Sequence, residues 1–110
     1  MAVTSSQSLQ PASVTNVAVG RYITTGTAAA ITITIGFQPR WVRVLNEAAS
    51  SSSFEFYEGM ADASAIKRAV AGDLTKVTTL GITPSASGFV IGLDTDVNVM
   101  SEQLNWIAIG

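Results

Sequence analysis

The sequence predicts an all-β fold: a β-sandwich, jelly-roll-like or immunoglobulin-like, with an extended N-terminal arm. Three observations carry this. Roughly seven to nine short stretches rich in Val, Ile, Thr and aromatic residues follow one another closely, as in sandwiches and barrels. Gly, Ser and Pro clusters punctuate them as turns. No segment repeats at a solenoid period.

Residues 1–16 are mostly Ser, Thr, Gln and Ala with one Pro and no charge, which predicts an extended or flexible arm rather than a packed element. Val17, Val19, Arg21 and Ile23 alternate with Ala18, Gly20 and Tyr22 as a first strand. Thr24–Thr27 is a turn. The clearest strand runs from Ala28 to Ile35, with Ile31, Ile33 and Ile35 on one face and Thr32 and Thr34 on the other. Gly36 closes it. Pro39 has no N–H and a fixed φ, so it marks a corner, and Phe37 is expected to plug the core beneath. The stretch Gly36–Asn46 organises the rest. Its strand, Arg40 to Leu45, sends Val42 and Val44 to one face and Trp41, Arg43 and Leu45 to the other. The first pair is expected in the core. The second set mixes aromatic, cationic and aliphatic residues, as a surface covered by a partner does.

Ser50–Ser53 reads as a flexible loop, and Phe54–Glu58 as a strand with Phe54 and Phe56 inward. Between Met60 and Asp73, Ala-rich composition and Asp62 as an N-cap favour a short helix, whereas the flanking strands favour a strand over Ala65–Val70; the strand is preferred. Thr75–Leu80 is a strand, Gly81–Ser87 with Pro84 a loop, Phe89–Leu93 a strand, and Asp94–Asp96 a turn or strand start that Val97 and Val99 continue. Leu104–Ile109 is a strand with both faces apolar: Leu104, Trp106 and Ala108 against Asn105, Ile107 and Ile109. Such a strand is central in its sheet or covered by a partner.

The 110 residues suffice for one domain over 17–110, which buries roughly two-thirds of its unfolded surface. There is no Cys and no His, so disulfides, Cys/His zinc sites and imidazole mechanisms are excluded. Charged residues make up 13% of the chain, against about a quarter in ordinary soluble domains, which suggests that subunit contacts shield the surface. A net charge of −2 argues against nucleic acid. No apolar run approaches the roughly 18 residues that span a bilayer, and the N-terminus lacks the basic and apolar regions of a secretory signal. Neither a membrane nor a leader is expected.

The constellations that carry chemistry elsewhere are incomplete here. Ser64-Ala65-Ile66-Lys67 matches the S-x-x-K of serine acyl-enzymes without its partner motifs. Glu55 and Glu58 stand at odd spacing in a strand, so they point to opposite faces and cannot flank one glycosidic bond. Asp94-x-Asp96-x-Asn98 opens like a calcium loop, but Val99 stands where Gly is needed and Asn105 where Glu is needed. Trp41, Tyr57 and Trp106 suit either a sugar-stacking platform or buried anchors. No catalytic residue, cofactor or metal is assigned. The chain is expected not to be an enzyme.

Four segments occur together: Gly-Phe-Gln-Pro-Arg-Trp-Val-Arg-Val-Leu-Asn at 36–46, Phe-Glu-Phe-Tyr-Glu-Gly-Met-Ala-Asp-Ala-Ser-Ala at 54–65, Gly-Ile-Thr-Pro at 81–84, and Gly-Phe-Val-Ile-Gly-Leu-Asp-Thr-Asp-Val-Asn-Val at 88–99. With the closing Leu-Asn-Trp-Ile-Ala-Ile at 104–109, the set resembles a group of small structural proteins of tailed bacteriophages. The resemblance implies a β-rich virion protein that decorates or cements the capsid surface, with the major capsid protein and further copies of itself as partners, as a trimer by preference or a dimer. It supplies no functional residues. The candidate interface is Trp41, Arg43, Leu45, Trp106, Ile107 and Ile109, with contacts expected to be largely apolar and only mildly salt-sensitive. The alternative is a carbohydrate-binding or adhesion module of a head fibre or tail.

Overall fold

A computed structural model of the chain describes residues 16–48, 52–69 and 71–110. The arm expected at 1–16 therefore lies outside the described residues except for Asn16, and so do Ser50 and Ser51 of the Ser50–Ser53 loop, whereas Ser53 already belongs to a strand.

Eight strands form, all antiparallel: β1 (Val17–Ile23), β2 (Ile31–Thr34), β3 (Trp41–Asn46), β4 (Ser53–Tyr57), β5 (Ser64–Arg68), β6 (Leu74–Ser85), β7 (Gly88–Ile91) and β8 (Gln103–Ile109). Hydrogen bonds join them into one sheet in the order β1-β8-β3-β4-β5-β6-β7-β2. The all-β expectation holds, and the ambiguous stretch after Met60 is a strand. Among the described residues there is no helix long and apolar enough to cross a membrane.

The sheet curls because β6 changes partner along its length. Leu74–Val77 pair with β5, and Ile82–Ser85 pair with β7. At the changeover the β5 register shifts between Ser64 and Ala65, and Ala63 (φ 65°) and Leu80 (φ 61°) take left-handed conformations. The backbones press together there: a Cβ on Gly81 would sit 2.7 Å from the Ser64 carbonyl, which only glycine avoids. The sequence signal of Pro84 was misleading at this point. Gly81–Ser85 is strand, not loop, because β5 starts opposite Ile82 and leaves Pro84 with one sheet neighbour, where a missing N–H costs no ladder bond.

The curl encloses one core. Val42 and Val44 of β3, Phe54 and Phe56 of β4, Ile82 of β6, Phe89 and Ile91 of β7, Ile31 and Ile33 of β2, and Leu104 and Ala108 of β8 form a single buried cluster. The Phe89 ring meets the Trp106 indole edge to face at 5.5 Å, a contact between strands far apart in the sheet order. Val44 is in the core as expected. Phe37 is not: it is half-buried, with its ring against Gly110 and outside the cluster, because Pro39 rather than Phe37 takes the buried place at the corner.

Residues 92–102 also differ from expectation. The strand expected to continue through Val97 and Val99 is a turn and loop that cap the core, with Val97 fully buried. Polar side chains hold this loop. Asn46 donates to the Val97 carbonyl (3.0 Å) and to Glu102 Oε1 (2.8 Å), and Asn98 donates to the carbonyls of Ala29 (2.9 Å) and Gly92 (3.1 Å). These Asn side chains satisfy backbone groups that a buried loop would otherwise strand away from water.

Candidate functional site

With the core on the concave side, every strand from β1 to the first half of β6 presents its other face outward. The pairing aligns the outward residues in three rows. The first is Val17, Ile109, Trp41 and Tyr57; the second Val19, Ile107, Arg43, Glu55, Ile66 and Lys76; the third Arg21, Asn105, Leu45, Ser53, Arg68 and Leu74. Large apolar side chains stand exposed in them, including Val19 at 69% and Leu74 at 64%. Scattered exposed hydrophobics are ordinary, but a contiguous run of them marks an interaction site.

Five of the six residues expected at an interface share this face: Trp41, Arg43, Leu45, Ile107 and Ile109. Trp106 does not. It points inward, packs against the core cluster and lies over Gly20 of β1, where a Cβ would come within 2.5 Å of its ring. Its indole N–H is buried with no hydrogen-bond partner among the described residues. β8 is central in the sheet, one of the two positions expected of it, paired on one side by β1 and on the other by β3. The edge strands of the sheet are instead β1 and β2.

Sequence reasoning missed Val17, Val19, Arg21, Ile66, Arg68, Leu74 and Lys76 on this face. The alternation of Val17, Val19 and Arg21 was visible, but which strands lie side by side was not. Two shallow depressions mark the face. One, of about 320 Å³, is lined by Arg43, Leu45, Asn105, Trp106 and Ile107; the other, of about 130 Å³, lies between Arg43 and Arg68 with Ser53 and Glu55. Glu55 accepts the Tyr57 hydroxyl at 2.8 Å, and this bond together with the Glu55 charge raises the Tyr57 pKa.

The residues of the incomplete catalytic motifs are occupied otherwise. Ser64 is buried and donates to the Ala61 carbonyl. Lys67 Nζ bonds Asp94 (2.9 Å) and Asp96 (2.8 Å). Burial opposes the Lys67 charge, but the two carboxylates outweigh it and raise the pKa, the reverse of what a general base needs. Burial likewise pushes Asp94 up, and the Lys67 bond and the N–H groups of Asp96 and Val97 hold it below its usual range. The Asp94-x-Asp96 pattern is thus a turn clamped by an ammonium group. Glu58 lies beyond β4 and pairs with Arg40 at 3.3 Å, away from Glu55.

No family model, curated protein or solved structure matches the chain.

Proposed function

We propose that this protein is a non-enzymatic structural component of a phage particle, decorating or cementing the capsid shell, and that it works by burying its outer sheet face against other subunits. The observation that carries the reading is the outer face itself: three aligned rows in which apolar side chains stay exposed although a complete core exists behind them. A lone domain gains nothing from such a face, whereas a subunit contact removes it from water at roughly 25 cal/mol per Å². The free edge of β1 supplies a second contact, because an unpaired strand edge invites another strand. In this reading the edge serves self-association, as a trimer by preference and otherwise a dimer, and the face meets the major capsid protein. Several modest contacts then add by avidity. The sandwich description belongs here too: β7, β2 and the second half of β6 act as a second layer against β8 and β3.

A carbohydrate-binding or adhesion module is the second reading. It draws on Trp41 and Tyr57 standing side by side with Glu55 bonded to the Tyr57 hydroxyl, as in a sugar platform. Light scattering on the purified protein and co-sedimentation with undecorated shells test the choice. An oligomer that pellets with shells is expected. A monomer that ignores shells and binds a bacterial glycan refutes the cement reading.

A further inference from the structure

The chain as a whole is acidic, yet its cations are not spread evenly. Of the six, Arg40 is paired with Glu58, and Lys67 with Asp94 and Asp96. The four that form no salt bridge among the described residues are Arg21, Arg43, Arg68 and Lys76. All four are exposed, and all four stand in the outer rows. Of the carboxylates near them, Glu55, the cross-strand neighbour of Arg43, accepts the Tyr57 hydroxyl, and Glu47 accepts the Asn105 amide. The face is positive although the chain carries −2. Aliphatic residues stand among its cations: Val19 and Ile107 precede Arg43, Ile66 lies with Glu55 between Arg43 and Lys76, and Leu45 lies with Asn105 and Ser53 between Arg21 and Arg68.

We propose that this face binds an acidic protein surface, one whose carboxylates are interleaved with apolar side chains. The inference rests on the reading that the face meets a partner, and it names that partner's chemistry. Unpaired guanidinium groups on a flat sheet suit bidentate carboxylates. The aliphatic residues between them need apolar groups opposite, which a polyphosphate or polysaccharide chain does not offer. A second copy laid face to face would bring two positive faces together, so the occupant is taken to be a different protein. Such an interface is steered by charge, and its association rate falls with salt. This salt dependence differs from the mild salt-sensitivity expected of largely apolar contacts.

The test needs no shells, so its failure is distinct from failure of the capsid reading. Binding of the full chain is measured by biolayer interferometry to a glutamate–tyrosine random copolymer, to polyglutamate, to heparin and to duplex DNA. The copolymer should bind tightest, and its association rate should fall about tenfold or more between about 50 and about 300 mM salt. Arg43→Gln/Arg68→Gln should weaken binding to both polypeptides by about tenfold with an unchanged melting temperature, since both side chains are exposed. Val19→Ser/Leu74→Ser should lower copolymer binding to the polyglutamate level. Tighter binding to heparin or DNA, indifference to salt, full binding by the Gln variant, or no binding to any probe each overturns the proposal.

Discussion

Replacing Lys67 by Met tests the clamp on the 92–102 loop. The substitution keeps most of the aliphatic stem and removes the ammonium. Asp94, whose side chain is 10% exposed, then keeps the N–H groups of Asp96 and Val97 but loses its cation; Asp96, at 35%, is screened by water and counts for little. Breaking a fully buried pair costs about 3–5 kcal/mol and an exposed one about 0–1, so this partly buried pair should cost about 2.5 kcal/mol. For a domain of this size that is a fall in Tm of about 10 °C. The pH profile sharpens the test. Asp94 titrates below its ordinary 3.8 in the fold, so its contribution is full above that value and lost as pH falls through the folded pKa. Lys67 titrates above its ordinary 10.5, so its contribution is full below that value and lost as pH rises through the folded pKa. The Tm gap between wild type and Lys67→Met should therefore be widest between those limits and close at both ends. Calorimetry across pH reads it, with Asp94→Asn completing a double-mutant cycle. A gap under about 2 °C near neutrality, or strictly additive single variants, would refute the clamp.

Three further outcomes follow from the packing. Gly20→Val places side-chain atoms where the Trp106 indole lies, so it should destabilise by about 1–3 kcal/mol and shift tryptophan emission; an unchanged spectrum counts against that contact. Phe54→Ala should cost about 3–5 kcal/mol in urea unfolding and the half-buried Phe37→Ala only about 1–2, and equal values would contradict the core assignment. Chelator should leave Tm unchanged because Lys67 occupies Asp94 and Asp96, and a loss of several degrees would reveal a metal site.

Where a strand has one wet face and one dry face, alternation sufficed to read it. Ile31 and Ile33, Val42 and Val44, and Phe54 and Phe56 all point where their spacing predicts. Elsewhere a local signal competed with tertiary context. Pro84 is a strand breaker only where both edges are paired, and the neighbour that stops short at Ser64 is invisible in the sequence. Val97 and Val99 have strand propensity, but Asp94 captures the N–H groups of Asp96 and Val97 and closes a turn instead. Half of the outer face was legible because Trp41, Arg43 and Leu45 are neighbours in the chain. The other half needed the sheet order, which sets Arg21 and Arg68 in the same row as Leu45.

The position of β8 between β1 and β3 has a kinetic consequence. From β3 to β7 each strand pairs with the next, so that part can zip up through local hairpins. β1 cannot join it, because its only partner among the described residues is made of residues 103–109. On a ribosome, β1 emerges first and stays without a partner while the rest is synthesised, its Val- and Ile-bearing backbone open to other nascent chains. Closure then means threading one strand into the slot between two others across nearly the full described length, a high-contact-order step of the kind that takes milliseconds to seconds. The hydrogen bond from Gly110 N–H to the Asn16 carbonyl joins the two ends of the described fold. Joining residues 16 and 110 by a short linker, and opening the chain between β2 and β3, would place β8 and β1 in one local hairpin. That permutant should fold faster than the natural order while keeping the same sheet.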